Sequence, residues 1–214
     1  MSRDGFIAGG IFALGLAALG GFMLSQTATP ALAEDGPGPN LVIEVGGSAQ
    51  GEIVVDLLPD AAPKHVEQIV SLAKSGAYDD VVFHRVIDGF MAQTGDPTGT
   101  GQGGSELPDL KAEFNKMPHL RGTVSMARTN EPDTANSQFF ICFQPRFSLD
   151  NKYTVFGRVT SGMQFVDAIE RGEPPASPSK VLQASIAADN VPPPAFVAQP
   201  AAEKPITVDQ LSGS

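Results

Sequence analysis

Apolar and polar residues alternate along much of the chain from about residue 40 to about residue 190, a pattern typical of short strands with one buried face. Residues 41–45 and 52–58 alternate on either side of a glycine-rich turn, so we predict that they form a hairpin. Clusters of Gly, Pro, Asn and Asp separate six further predicted strands, at residues 81–87, 91–94, 123–126, 139–143, 155–159 and 181–187.

In two places the apolar residues recur at helical spacing instead. Pro63 suits the first turn of a helix, and Asp60 is placed to cap it. Apolar residues then lie on one side of residues 66–73 until Gly76 ends the run, and residues 163–171 form a second predicted helix. Eight strands and two helices predict a mainly β fold, namely a closed eight-stranded antiparallel β-barrel capped by two α-helices.

The first 33 residues differ in composition from the rest of the chain. Residues 6–24 contain no charged or strongly polar side chain, and Ala31 and Ala33 are small residues just before two acidic ones. This layout is typical of a cleaved signal peptide over residues 1–33, although the apolar run is also long enough for an uncleaved membrane anchor. We therefore expect a periplasmic or secreted protein, or one that is anchored to the inner membrane through this segment alone and faces the periplasm.

The other end of the chain is rich in proline. Residues 190–214 contain five prolines and no sustained periodicity, so we predict a disordered tail after a globular domain at residues 38–189. Asp and Glu together number 24 against 14 for Lys and Arg, which gives a net charge of -10 and a pI of about 4.6. This balance argues against a nucleic-acid partner, because such binding depends on a basic surface.

The sequence offers little for a metal or a cofactor. Cys142 is the only cysteine, which excludes an internal disulfide and a cysteine-rich zinc site, and we expect it to be buried in its strand. His65, His84 and His119 are scattered without ligand spacing. Residues 99–104 match the glycine pattern of a dinucleotide-binding loop, but they do not run from a strand into a helix. We therefore expect neither a metal nor a cofactor.

One predicted hairpin contains an arginine among apolar residues, in the segment FHRVIDGFMAQTGD at residues 83–96. Burying an unpaired charge is costly, so Arg85 must reach water, a partner or a cavity that it serves. A two-residue turn would pair Arg85 with Ala92, whereas a three-residue loop would pair it with Gln93. We predict the three-residue loop, because it gives the guanidinium an amide oxygen. The hairpin alone does not separate this arrangement from a surface arginine on a barrel rim.

Four other motifs decide between these two interpretations. They are GTGQGG at residues 99–104, RGTVSMA at 121–127, SQFFICF at 137–143 and SLDNKYTVFG at 148–157. Together with FHRVIDGFMAQTGD they resemble the cyclophilin family of peptidyl-prolyl isomerases, and the resemblance spans roughly residues 40–189. It implies an eight-stranded barrel with a shallow groove on one outer face and proline-containing polypeptides as partners.

The resemblance also implies roles for individual residues. Arg85 takes the catalytic position, and Gln93 orients it. The substrate-binding residues would be Phe90, Met91, Phe140 and Leu149 as walls of a proline pocket, Ala127 and Gln138 in the adjoining groove, His84 and Gly101 at its edges, and Tyr153 closing the pocket. Tyr153 stands where the family commonly has a histidine, Arg128 where it has an asparagine, and Ser148 where it has a tryptophan.

These residue types suit rotation about an X–Pro bond. The lone pair of the prolyl nitrogen is delocalised in the planar amide and becomes an acceptor only when the bond twists, so a donor aimed at it stabilises the transition state alone. We therefore expect a monomeric isomerase that assists the folding of exported proteins. The alternative is a non-catalytic chaperone or scaffold module that binds proline peptides. Retention of both Arg85 and Gln93 favours catalysis, since binding alone needs only the pocket.

Overall fold

The computed structural model describes residues 36–194, in which it has eight strands, two α-helices and two short 3₁₀ helices. The elements are β1 (Asn40–Gly46), β2 (Gly51–Leu57), α1 (Pro63–Lys74), β3 (Arg85–Ile87), β4 (Met91–Thr94), β5 (Thr123–Met126), β6 (Phe139–Cys142), β7 (Val155–Ser161), α2 (Met163–Ala168) and β8 (Lys180–Ile186), with 3₁₀ helices at Phe147–Leu149 and Ala187–Asp189. The predicted signal or anchor segment, 1–33, and most of the predicted tail, 190–214, lie outside the described residues. Within the described part, no helix has the length and apolar character needed to cross a membrane.

The eight strands belong to one antiparallel sheet, in the order β3-β4-β6-β5-β7-β2-β1-β8. This sheet is an open, curled half-barrel, so the prediction of a closed barrel is wrong in its closure. The edge strands are β3 and β8, and in the described chain a single isolated bridge, between Val82 and Lys180, joins the segment before β3 to β8. The strand predicted at residues 81–87 is a strand only from Arg85 onward, where it pairs with β4. The pairing of the preceding residues with β8 therefore does not extend beyond this bridge.

The main hydrophobic core contains several large aromatic side chains. The ring of Phe139 meets those of Tyr78 and Phe156 edge-on, with centroids 5.7 Å and 6.0 Å apart. Helix α1 contacts β8 and adds Ile69, which is fully buried, to the same core. Edge-on aromatic pairs of this kind add to the stabilisation from burial itself.

Both predicted helices are present, but each prediction errs at one end. Asp60 does not cap α1: the cap residue is Ala62, which makes no side-chain bond there. The carboxylate of Glu113 instead accepts two backbone N–H groups of the first turn, each at 3.1 Å. Helix α2 ends at Ala168, before the predicted end at residue 171, because the next residue, Ile169, is extended and buried in the core.

Strand β6 divides its side chains between two apolar clusters. Phe139 and Ile141 enter the main core, whereas Phe140 and Cys142 form a separate small cluster with Met91 of β4. Cys142 is buried as predicted, and burial raises the pKa of its thiol to about 12. The alternation along this one strand therefore creates a second apolar surface, away from the main core.

Candidate active site

The hairpin of β3 and β4 has the predicted register. Arg85 pairs with Gln93 and Ile87 with Met91, which confirms the three-residue loop over residues 88–90. The loop closes with a bond from the backbone N–H of Phe90 to the carbonyl of Ile87, at 3.0 Å. Arg85 and Gln93 consequently lie side by side across the hairpin.

A chain of amide groups leads away from Arg85. Its Nη1 donates to Oε1 of Gln93 over a long 3.5 Å, and Nε2 of Gln93 donates to Oε1 of Gln138 at 2.8 Å. Nε2 of Gln138 in turn donates to the carbonyls of Gly101 and Gly103, at 3.2 Å and 2.8 Å. In both glutamines the amide oxygen accepts and the amide nitrogen donates, so these hydrogen bonds fix the orientation of the two amide groups.

Asp96 organises the loop that supplies those two carbonyls. Its buried carboxylate accepts the backbone N–H groups of Thr98, Gly101 and Gly103 at 2.8, 2.6 and 3.1 Å, and also the hydroxyl of Thr98. Burial alone would raise the pKa of Asp96, but the bonds from Thr98, Gly103 and Gly101 outweigh it and leave the pKa lowered. The sequence motif contained Asp96 without revealing this role, although an aspartate before a Thr- and Gly-rich stretch is typical of such turns.

Replacing Asp96 by asparagine is expected to destabilise the protein by about 1–3 kcal/mol, because an amide N–H₂ would then face backbone donors. The pKa of Asp96 is lower in the folded protein than its ordinary value of 3.8. The stabilising contribution is therefore present above about pH 4 and is lost as the pH falls through the lowered value. Urea unfolding of both proteins from neutral to acidic pH measures the difference.

The difference between wild type and Asp96→Asn should be constant near neutral pH and should shrink in acid. Asp60→Asn is the matched control, since Asp60 is exposed and makes none of these bonds within the described chain. A difference between wild type and Asp96→Asn that stays the same well below pH 4 would contradict the role given to this carboxylate.

Phe140 lies at the centre of the small apolar cluster and is 5% exposed. Its ring lies 6.5 Å from that of Phe90 and 5.9 Å from that of Tyr153, between centroids. The cluster consists of Met91, Phe140 and Cys142, with Ile87, Phe90, Ala127, Leu149 and Tyr153 partly buried against it. The structure thus brings together all five residues assigned by sequence to the proline pocket, and it adds Ile87 and Cys142.

A buried histidine supports this pocket from behind. The imidazole of His119 stacks on the ring of Phe140, with centroids 6.3 Å apart and an interplanar angle of 16°. Its Nδ1 lies 2.8 Å from a carboxylate oxygen of Asp150, which also accepts the backbone N–H of His119 at 2.9 Å. Asp150 follows Leu149 directly, so these contacts fix the backbone next to the Leu149 wall. No local sequence pattern indicates this pair, because its members are separated by 31 residues.

Two arginines stack on aromatic residues at the rim of the pocket. The guanidinium of Arg146 lies 5.0 Å from the ring centroid of Phe90, and that of Arg128 lies 4.5 Å from the centroid of Tyr153. Arg128 also donates to the carbonyl of Lys152 from Nε and Nη2, at 3.2 Å and 2.8 Å. Arg128, which stands where the family commonly has an asparagine, is therefore held against Tyr153.

Two open cavities flank the line from Arg85 to Gln138. The larger, of about 430 Å³, is lined by Gln93, Gly101, Ala127 and Gln138 among others, so it contains the residues predicted for the peptide groove. The smaller, of about 310 Å³, is lined by His84, Arg85 and Gly101 among others. His84 is 6% exposed, and burial lowers the pKa of its imidazole. The two cavities share Gln93 and Gly101, so Arg85 and the residues predicted for the groove lie side by side on the surface.

Glu173 is a member of this surface that sequence reasoning missed. Its Oε2 lies 2.7 Å from Nε of Arg85, which makes it the closest hydrogen-bonding partner of the guanidinium in the described chain. Glu173 follows α2 and is separated from Arg85 by 88 residues, so no local pattern could have indicated the contact.

An apolar pocket beside a paired guanidinium is the arrangement that the resemblance to the cyclophilins implied. Comparison with known proteins gives the same family. The family model for cyclophilin-type peptidyl-prolyl cis-trans isomerases matches residues 41–187. The chain belongs to the cyclophilin-type peptidyl-prolyl cis-trans isomerase family. The expectation of an enzyme of this class is confirmed, because the family and its named members are peptidyl-prolyl cis-trans isomerases.

Individual relatives and solved structures agree with this family. A probable peptidyl-prolyl cis-trans isomerase of Brucella suis is 49% identical over 155 residues, which cover 65% of this chain and 79% of that protein. A cyclophilin structure from Hirschia baltica has a TM-score of 0.66 at 29% identity and covers 74% of this chain and 77% of its own. A cyclophilin-type isomerase of Cryptosporidium parvum, crystallised in the presence of the dipeptide Ala-Pro, has a TM-score of 0.64 at 28% identity and covers 69% and 98%.

No group of three or more His, Cys, Asp and Glu side chains that could hold a metal ion occurs among residues 36–194. The glycine pattern at residues 99–104 belongs to the loop held by Asp96 and does not open a helix.

Proposed function

We propose that this protein accelerates cis–trans isomerisation of X–Pro bonds in polypeptides, with Arg85 as the catalytic residue and Gln93 as its partner. The observation that carries the proposal is the arginine held at the border of an apolar pocket, across the hairpin from Gln93. A solvated rim arginine would need neither the amide partner nor the pocket. The Ala-Pro dipeptide used with the Cryptosporidium parvum relative supports a proline-containing ligand for this chain as well.

The reaction requires no covalent bond to the substrate. Rotation about the peptide bond passes a twisted state in which amide resonance is lost, at a cost of about 18–20 kcal/mol. The nitrogen lone pair is localised in that state, and the guanidinium of Arg85 can donate to it. Arginine remains charged at every relevant pH, so it acts electrostatically and not as a proton donor. The bond forms only near the transition state and therefore lowers the barrier.

The guanidinium supplies part of the rate enhancement, and the pocket supplies the rest. One preorganised donor of this kind is worth about 2.7–4 kcal/mol, which corresponds to about 10²–10³ in rate. In the proposal the proline ring rests on Phe140, between Phe90 and Leu149, while the neighbouring peptide lies in the groove formed by Ala127 and Gln138. Fixing the substrate in this way removes part of the entropic cost of reaching the twisted state.

Export of the protein forms a separate part of the proposal. The composition of residues 1–33 supports a secretory signal, with clients among periplasmic or secreted proteins. Mass determination of the exported protein tests this directly. Cleavage after Ala33 gives a chain that begins at Glu34, whereas an unprocessed chain in the membrane fraction would support the anchor instead.

A coupled isomerisation assay beside a binding titration tests the catalytic function. The wild-type protein should bind a short Ala-Pro peptide and should also shorten its isomerisation, which takes tens to hundreds of seconds without a catalyst. Binding without any acceleration would instead favour the non-catalytic chaperone or scaffold module and would refute the proposed reaction.

A further inference from the structure

The backbone beside Glu173 is joined directly to the strand that carries Arg85. Gly172 and Val86 exchange two backbone bonds, N–H to carbonyl in both directions, each at 2.8 Å. Val86 follows Arg85 and Gly172 precedes Glu173, so this bridge places the two charged residues next to each other. The contact between their side chains is thus a consequence of the fold and not of a chance meeting of two long side chains.

The loop around Gly172 has little room to change. Gly172 has a φ of +153°, and a Cβ added there would meet the Cα of Pro175 at 2.5 Å. On the preceding side, Nε of Arg171 lies 3.3 Å from a carboxylate oxygen of Asp88, in the loop that joins β3 to β4. The segment bearing Glu173 is consequently fastened to the β3–β4 hairpin at two places.

The ion pair occupies a particular edge of the guanidinium. Oε2 of Glu173 accepts from Nε of Arg85 at 2.7 Å, whereas the bond from Nη1 to Gln93 is long, at 3.5 Å. With Nε engaged by Glu173 and Nη1 by Gln93, Nη2 makes no hydrogen bond within the described chain and is left to face a ligand. The side chains of Arg85 and Glu173 are 43% and 52% exposed, and an ion pair so open to water adds little to stability.

We propose that Glu173 is a positioning residue that holds the guanidinium of Arg85 in the orientation needed to meet the prolyl nitrogen. The inference rests on the proposed isomerase function and deepens it. A free arginine side chain samples many rotamers, and the carboxylate restricts it before substrate arrives. Because the planar substrate offers no acceptor at that nitrogen, the restriction benefits the twisted state and not the bound ground state. Removing it should lower kcat and leave KM nearly unchanged.

Glu173→Gln tests the inference, since glutamine keeps the shape of the side chain and loses its charge. We expect kcat for an Ala-Pro peptide to fall by about 3- to 10-fold, with KM and the urea unfolding midpoint close to wild type. Glu173→Asp, which keeps the charge on a shorter side chain, should give an intermediate kcat. Asp167→Asn is the matched control, because Asp167 forms a similarly exposed ion pair with Arg121, and its kcat should be that of wild type.

Two further measurements separate positioning of Arg85 from a merely structural effect. In an Arg85→Lys background, Glu173→Gln should cause little additional loss, because the lysine has no Nε edge to hold. Raising the salt from about 0.05 M to about 0.5 M should lower the kcat of wild type towards that of Glu173→Gln, whose own kcat should change little, since salt screens exposed ion pairs.

The possible results distinguish this inference from the proposed function. If wild type accelerates isomerisation and Glu173→Gln has an unchanged or higher kcat, or loses as much in the Arg85→Lys background as alone, the positioning role is refuted and the isomerase function stands. If wild type gives no acceleration at all, both are refuted.

Discussion

Replacing Arg85 by alanine is expected to lower kcat/KM for a proline-containing peptide by about 10²–10³, the usual loss when one preorganised donor is removed from a transition state. The side chain is 43% exposed and its ion-pair partner Glu173 is 52% exposed, so water can solvate the carboxylate that is left behind. The fold should therefore persist, with a urea unfolding midpoint close to wild type. A protease-coupled isomerisation assay and urea unfolding measure the two quantities.

Arg121→Ala is the matched control for this loss. Arg121 is 47% exposed, pairs with Asp167 at 2.6 Å and donates to the carbonyl of Phe143 at 3.1 Å, so its removal deletes a similarly exposed ion pair outside the apolar pocket. It should leave kcat/KM unchanged. An Arg85→Ala protein that is folded and retains most of its activity would contradict the assignment of Arg85.

Shortening Phe140 is expected to have the second large effect. Phe140→Ala removes the ring on which the proline would rest, and the lost apolar contact of about 1.5–3 kcal/mol corresponds to a fall in kcat/KM of roughly 10- to 100-fold. The same change leaves a cavity between Phe90, Tyr153 and His119 and should destabilise the fold by about 3–5 kcal/mol. Phe140→Leu fills more of that space, so it allows the kinetic effect to be measured on a folded protein.

A comparison of Phe139→Leu with Phe140→Leu distinguishes an effect on the pocket from an effect on the main core, because the two residues are neighbours on β6. Phe139 is 1% exposed and belongs to the main core, where it packs edge-on against Tyr78 and Phe156. Its replacement should lower the free energy of unfolding while the folded protein keeps its KM. Phe140→Leu should raise KM, as measured from initial rates over a range of peptide concentrations. Equal effects of the two variants on KM would show that Phe140 is no part of a pocket.

Local patterns were sufficient to predict most of the elements and the central hairpin. The register of β3 and β4 followed from one chemical requirement, an amide oxygen for Arg85, and from a loop of three residues. Strand β6 was predictable because Phe139 to Phe143 form a short apolar run between polar turns. The grouping of Phe140 with Met91 came from the resemblance to the cyclophilin family, since the two strands that carry them are separated by a long loop.

Contacts between residues far apart in the sequence could not be predicted in this way. The first turn of α1 is capped by Glu113, 48 residues beyond His65, and the local candidate Asp60 was wrong. Closure of the barrel also depends on a distant contact, because it requires the segment before β3 to pair fully with β8, and these meet at only one bridge in the described chain. Glu173 reaches Arg85 only because Gly172 binds the edge of β3.

Two of the three residues that depart from the familiar family pattern, Tyr153 and Arg128, contact each other at the rim of the pocket. Tyr153, in place of the usual histidine, packs edge-on against Phe140 at 5.9 Å. Arg128, in place of the usual asparagine, stacks on Tyr153 and binds the carbonyl of Lys152. The two replacements are coupled, because the aromatic ring of Tyr153 is the surface on which the guanidinium of Arg128 stacks.

The central claim is that Arg85 stabilises the twisted imide and not the planar bound peptide. Two-dimensional NMR exchange spectroscopy of an Ala-Pro peptide under saturating conditions measures cis–trans exchange on the protein, and a titration in the same samples measures binding. The account predicts rapid exchange with wild type, and with Arg85→Ala it predicts retained binding but exchange close to that of the free peptide. Exchange on Arg85→Ala as fast as on wild type would contradict it.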